Sequence, residues 1–266
     1  MPRWTADDIA WDAFDREKLD QDLLKLIKAA SLTEYNAAQY TRYLHNIFQD
    51  DTEFAEILAE WQLEEEQHGR MLARYARMAD PDFDFDTAFK KFTDGYKIPT
   101  DVTESVRGSR VGELVSRCIV ETGTSSFYTA LSEGTEEPVL KQLTHRIASD
   151  EFRHYRTFFD GLERYQASEP VSLLNRLKVV ISRIRETDDD ELAYAYHCAN
   201  ESGETYDKAR CTRDYAQRAY GHYRPHHAEQ VVNMAFRASG LKPRGWLSAQ
   251  VSKWAWRKMR NLASAA

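Results

Sequence analysis

Apolar residues recur along most of this chain at spacings of three and four, the period at which side chains stack on one face of an α-helix. Prolines at positions 2, 81, 99, 138, 170, 225 and 243 punctuate the pattern. The stretches between them predict helices over roughly 15–48 (with Ser31 as the place for a break), 52–78, 102–132, 137–167, 171–185, 188–219, 225–239 and 245–262. Asp51-Thr52 offers a start signal for the second, and Thr187 with Asp188, Asp189 and Asp190 puts negative charge on a first turn. Residues 79–103 form the one long connection. It carries Phe83, Phe85, Phe89, Phe92 and Tyr96, and is expected to pack across the bundle. With only 11 glycines and 7 prolines the chain cannot supply the turns of an all-β fold. The reading is all-α.

Charged residues interrupt these stripes at a few positions. In the second helix Phe54, Leu58 and Trp61 are followed by Glu65 and His68, and then by Leu72 and Tyr75. A later helix repeats the pattern: Leu140, Leu143 and Ile147, then Glu151 and His154, then Phe158 and Leu162. Glu121 interrupts Val111, Leu114, Cys118 and Tyr128, and Glu34 interrupts Leu23, Ile27, Ala30, Ala37, Leu44 and Phe48. Four carboxylates and two imidazoles thus point inward, where each unpaired charge costs several kcal/mol. Ser31-Leu32-Thr33-Glu34 also reads as a capping box. The apolar stripe continuing upstream favours an unbroken helix with Glu34 turned inward.

Depth unites the six. Glu34 lies about 16 residues before the turn Gln49–Thr52 and Glu65 about 15 after it, at about 1.5 Å rise per residue. Glu121 and Glu151 stand about 14 and 16 residues either side of the turn Glu133–Glu136 in the same way. Each antiparallel hairpin therefore presents a Glu opposite a Glu-x-x-His, whose i, i+3 spacing puts both side chains on one face. Two such sets form the ligand constellation of a di-iron or di-manganese carboxylate bundle. Two divalent ions neutralise four carboxylates, and oxygen and nitrogen donors without thiolate suit Fe or Mn. Glu64 and Glu66 flank the stripe as solvated or supporting carboxylates.

Composition narrows the class further. The formal charge is −7, yet residues 241–266 hold six basic side chains and no acid, which leaves −13 on the rest. An acidic body argues against nucleic acid as a partner. The mean hydropathy is −0.66, and no apolar run approaches the roughly 18–20 residues of a membrane span. Cys118, Cys198 and Cys211 lack metal-finger spacing and read as free thiols in a reducing cytoplasm. His222–His227 reads as a proline-broken helix junction rather than a second metal cluster. The basic, tryptophan-bearing tail allows ordinary packing of an outer helix, docking of an acidic carrier protein, or contact with an anionic membrane surface.

The motifs Thr33-Glu34, Glu64-Glu65-Glu66-Gln67-His68-Gly69, Glu121-Thr122-Gly123-Thr124 and Asp150-Glu151-Phe152-Arg153-His154 resemble, in order, those of the soluble acyl-acyl-carrier-protein desaturases of the ferritin-like superfamily. The resemblance spans about residues 31–160 and implies a ferritin-like four-helix bundle over about 15–167, with additional helices over about 171–262 of one domain, 1–266. It implies that Glu34, Glu65, His68, Glu121, Glu151 and His154 ligate two irons. Thr124 would aid proton delivery beside the oxygen-binding face; its competing reading is a helix threonine bonded to its own backbone. Asp150 would orient a ligand histidine. An N-terminal tryptophan on the electron route has two candidates, Trp4 and Trp11. The function implied is O2-dependent oxidation of a fatty-acyl chain on an acyl-carrier protein, with electrons from a donor such as ferredoxin, by a homodimer. Oxidation of a substrate not held by a carrier, and iron handling by a ferroxidase, are the alternatives.

Overall fold

The computed structural model describes residues 2–185, 190–201 and 203–264, and every regular element among them is helical. Three short 3-10 turns (Ala6–Asp8, Trp11–Ala13, Arg16–Lys18) precede α1, Gln21–Tyr35. Asp20 caps α1 by accepting from the amides of Asp22 and Leu23. Then come α2 (Ala37–Ile47), α3 (Thr52–Ala79) and α4 (Phe85–Gly95), the last two capped by Asp51 and Asp84. Ser109 caps α5 (Arg110–Gly134), and Glu137 caps α6 (Pro138–Ser168), whose proline occupies the first turn. The remainder is α7 (Leu173–Arg185), α8 (Asp190–Asn200), α9 (Lys208–Gly221), α10 (Pro225–Ser239) and α11 (Trp246–Ala263). None of the described helices is long and apolar enough to cross a membrane.

Several boundaries differ from the sequence reading. The first long helix breaks at Asn36 rather than Ser31, so Glu34 lies in the last turn of α1 instead of in the first turn of a new helix. The connection over 79–103 contains α4, whose Phe85, Ala88 and Phe92 are buried. The helix expected from 102 starts at Arg110, where Ser109 supplies the cap. The helix expected over 188–219 is two: α8 ends at Asn200, and α9 begins after the Asp207 cap. Its first residues, 188 and 189, lie outside the described residues.

Four helical rods build the core: α1–α2 as one bent rod, with α3, α5 and α6 as the others. The pairs α5–α6 and α1–α3 pack most extensively. Their apolar side chains fall into two clusters rather than one. The first gathers Leu23, Ile27, Leu72, Tyr75, Tyr128, Leu140, Leu143 and Ile147. The second gathers Leu44, Phe48, Phe54, Leu58, Trp61, Leu114, Cys118, Phe158 and Leu162. Between them, on every rod, lies the interruption read in the sequence: Glu34, Glu65 with His68, Glu121, and Glu151 with His154, all buried. A polar layer thus divides the hydrophobic core.

Gly69 shows how closely the rods approach there. A Cβ on Gly69 would lie 2.5 Å from the Tyr35 amide nitrogen and 2.6 Å from its Cβ. Gly69 follows His68 and Tyr35 follows Glu34, so this backbone contact draws the carboxylate and the imidazole together. Gly123 on α5, by contrast, has no atom within 4 Å of its virtual Cβ. Gly69→Ala should therefore cost about 1–3 kcal/mol through overpacking, against a propensity gain of about 1 kcal/mol. Gly123→Ala keeps that gain and should be neutral to stabilising. Urea unfolding of both variants checks the pair; equal effects of the same sign would contradict the close approach.

Candidate metal centre

Because α3 and α6 carry the same pattern, their side chains enter the polar layer in matching ways. His68 directs Nδ1 inward, 3.1 Å from Glu151 Oε1 and 3.7 Å from Glu34 Oε2. His154 directs Nδ1 inward as well, 2.9 Å from Glu65 Oε1, 3.8 Å from Glu151 Oε1 and 3.9 Å from Glu121 Oε2. Each ring turns its other nitrogen outward to a carboxylate: His68 Nε2 to Asp150 Oδ2 at 3.0 Å, and His154 Nε2 to Glu64 Oε2 at 2.8 Å. An ionised carboxylate only accepts, so each Nε2 carries a proton and each Nδ1 is the ring atom turned to the interior.

The arrangement is reciprocal. The acid preceding the Glu of each Glu-x-x-His supports the histidine of the other helix: Glu64 on α3 holds His154 on α6, and Asp150 on α6 holds His68 on α3. Arg153 ties the two supports together, reaching Asp150 Oδ1 at 2.5 Å and Glu64 Oε2 at 2.7 Å. Burial opposes ionisation of Asp150, but hydrogen bonds from His68, Arg153 and Trp4, together with the charge of His68, hold its pKa down at about 2. Bonds from His154 and Arg153 likewise outweigh burial at Glu64 and lower its pKa.

Of the two candidate tryptophans, Trp4 is the one at the site. Its Nε1 donates to Asp150 Oδ2 at 2.6 Å, and its ring stacks on His68 at 6.1 Å between centroids. Trp11 instead donates to the Ala6 carbonyl and lies under Arg74. Thr124 Oγ1 donates to Glu151 Oε2 at 2.7 Å; its own helix carbonyls are farther, at 3.3 and 3.4 Å. Tyr128, unremarked as a site residue in the sequence, donates to Glu34 Oε1 at 2.6 Å. It stands two turns beyond Glu121 on the same face of α5, a spacing that could have marked it.

The six interrupting residues fit a pair of ions. Two four-residue groups, Glu34-Glu65-His68-Glu151 and Glu65-Glu121-Glu151-His154, each bring one donor atom per residue to within 4.8 Å of the others. They share Glu65 and Glu151. Each of the six also has one buried donor or acceptor atom without a hydrogen-bond partner: Glu34 Oε2, Glu65 Oε1, His68 Nδ1, Glu121 Oε1, Glu151 Oε1 and His154 Nδ1. Such atoms are costly in a native interior unless something else satisfies them. Four carboxylates, two imidazoles and no thiolate form a hard to intermediate set, suited to Fe or Mn.

Protons take the place of that charge in the protein alone. Burial, reinforced by neighbouring Glu151, raises the pKa values of Glu65 and Glu121. Burial works against charge on His68 and His154 too, yet their carboxylate partners prevail and raise both. Glu151, facing the charge of both histidines, is held well below the ordinary range despite its burial.

Two other clusters of this kind lie outside the polar layer. Glu133, His226 and His227 meet at the start of α10, but His227 Nδ1 accepts the Arg224 amide at 2.9 Å. Its Nε2 therefore bears a proton and lies 3.2 Å from Glu133 without forming a hydrogen bond. Pro225 opens α10 here, so the stretch is a helix junction, with His227 buried rather than solvated. His197, Glu201 and Cys211 also gather; Lys91 faces one His197 nitrogen, and Glu201 takes the other together with Arg210.

A fatty acid desaturase family model matches residues 11–186, about two thirds of the chain. The match runs from the second 3-10 turn through α7 and spans all six clustered side chains. No curated protein gives a significant match.

The proton inventory sets a pH dependence. Groups whose pKa values are raised hold protons near neutrality, and an incoming ion must displace them. Affinity for Mn(II), or for Fe(II) under anaerobic conditions, should rise from about pH 6 to about pH 8, with protons released to solvent. Titration in a weakly buffered indicator dye checks both. Binding that releases no protons and is flat across this range would contradict the inventory.

Proposed function

The chain belongs to the fatty acid desaturase family, and from that premise we propose that it is a di-iron oxidoreductase desaturating a fatty-acyl chain carried as an acyl-carrier-protein thioester. The observation that carries the reading is the overlap of two buried ligand groups through Glu65 and Glu151. Glu34 and His68 serve one iron, Glu121 and His154 the other, and manganese is the competing metal. Bound there, the irons supply the oxidising power drawn from O2, so that two adjacent methylenes, O2, two electrons and two protons become an alkene and two waters.

The chain's own groups have the remaining tasks. Asp150 and Glu64 fix the two imidazoles with a lone pair inward, as metal-bound histidines require. Tyr128 engages one oxygen of Glu34 and leaves the other to the interior. Thr124 sits with its hydroxyl on Glu151 and is the group placed to hold a proton beside the centre. Trp4, joined to His68 through Asp150, is the inward end of the electron route from a donor such as ferredoxin. The two apolar clusters keep water from the polar layer.

Intact mass spectrometry of acyl-carrier-protein thioesters tests this reading, after incubation with iron-loaded protein, a ferredoxin reducing system and O2. The expected result is a loss of about 2 Da from the acyl chain, two hydrogens removed by the di-iron oxidant. A gain of about 16 Da would instead make the protein a hydroxylase. No change in thioesters or free acids, with two irons per chain verified, would overturn the substrate class.

A further inference from the structure

α11 is turned the wrong way round for an ordinary packed helix. Its inward face against α9 and α10 is built on Ser248 and Ser252, both buried. Trp246 and Trp254 are 77% and 61% exposed, with Leu247 half-exposed beside them. An amphipathic helix of a soluble bundle turns its large apolar residues inward. Here the tryptophans face out, among the exposed cations Lys253, Arg257 and Lys258.

α7 repeats the feature. Its apolar arc extends past what α5 and α10 cover, leaving Leu174 71% and Ile181 48% exposed beside exposed Lys178 and Arg185. Both helices pack on α10. α7 reaches the corner where α10 ends: Gly240 takes a left-handed φ of 87°, and a Cβ there would lie 2.7 Å from the Arg176 guanidinium. Leu241–Gly245 then leads directly into α11.

The charge identifies what could cover these helices. Residues 170–185 hold four basic side chains and no acid, and residues 241–266 hold six and none. The remainder of the chain is at −17. A second copy meeting the same face would set cations against cations. Tryptophan with leucine and isoleucine, bordered by lysine and arginine, is the composition of helices that lie in the headgroup region of a bilayer. We propose that α7 and α11 together form a surface that docks on an anionic lipid bilayer, with Trp246, Trp254, Leu174 and Ile181 entering the headgroup region and the flanking cations pairing with lipid phosphates. The surface stands independently of the metal centre, and its test reads binding alone.

Co-sedimentation of the full-length protein with vesicles of phosphatidylcholine containing 30% phosphatidylglycerol (a proportion of about one anionic lipid in three) is the direct test. Binding is expected to these vesicles, weakly or not at all to pure phosphatidylcholine, and with a blue shift of tryptophan emission. The double variants Trp246→Ser/Trp254→Ser and Lys253→Glu/Arg257→Glu should each weaken binding by about tenfold or more, with unchanged circular dichroism and thermal midpoint. Absence of binding to the anionic vesicles at low salt would overturn the proposal, as would undiminished binding of both variants. Binding of an acidic carrier protein through these residues, with vesicles ignored, would overturn it in favour of a protein partner.

Discussion

Four carboxylates and two imidazoles enclosed by hydrophobic side chains are the constraint around which this bundle is arranged. Unpaired, each such group would cost several kcal/mol. They are tolerable because four of them, Glu34, His68, Glu151 and His154, are tied down on one side and left open on the other. Asp150, Glu64 and Tyr128 take the outward atoms, while the inward atoms converge without protein partners. The close contact of Gly69 with Tyr35, the two-cluster core and the strap carrying Trp4 all hold this one layer in register.

The reciprocal support of the histidines gives the layer its rigidity. A single arginine, Arg153, couples Asp150 and Glu64, so moving one imidazole disturbs the support of the other. Trp4 extends the same network to the N-terminal strap. Gln142 fastens that strap by accepting from the Ala10 amide and donating to the Asp8 carbonyl. The side chains around the layer therefore form one hydrogen-bonded unit spanning α3, α6 and the N-terminus, and such units resist piecemeal change.

Most of the layer was legible because it breaks a period. Glu65, His68, Glu121, Glu151 and His154 stand where apolar residues belong, and equal distance from a turn set their height. Glu34 was ambiguous between cap and core. The structure turns it inward because Asn36, not Ser31, ends the helix, while the Ser31 hydroxyl bonds back to Lys28. Trp4 and Trp11 could not be separated by spacing, since irregular 3-10 turns carry no fixed rise. Glu64, open in the sequence between a solvated and a supporting role, is the supporting one, in the place in its motif that Asp150 occupies in the other. The aromatics of the segment with α4 stand out in the sequence, and its start is marked only by the cap, Asp84 accepting from the Thr87 amide. The break between α8 and α9 was hidden by continuous polarity, although the capping Asp207 and the left-handed Gly203 mark it. The outward turn of α11 could not be read at all, because a periodic pattern gives a helix its faces without saying which one meets the protein.

Anomalous diffraction from crystals grown with Mn(II) tests the central claim most directly. Two anomalous peaks should appear inside the bundle, about 3.5–4 Å apart, both in contact with Glu65 and Glu151. One should touch Glu34 and His68, and the other Glu121 and His154. A single peak, none in the polar layer, or an ion at Glu133 and His226 in its place would contradict the account.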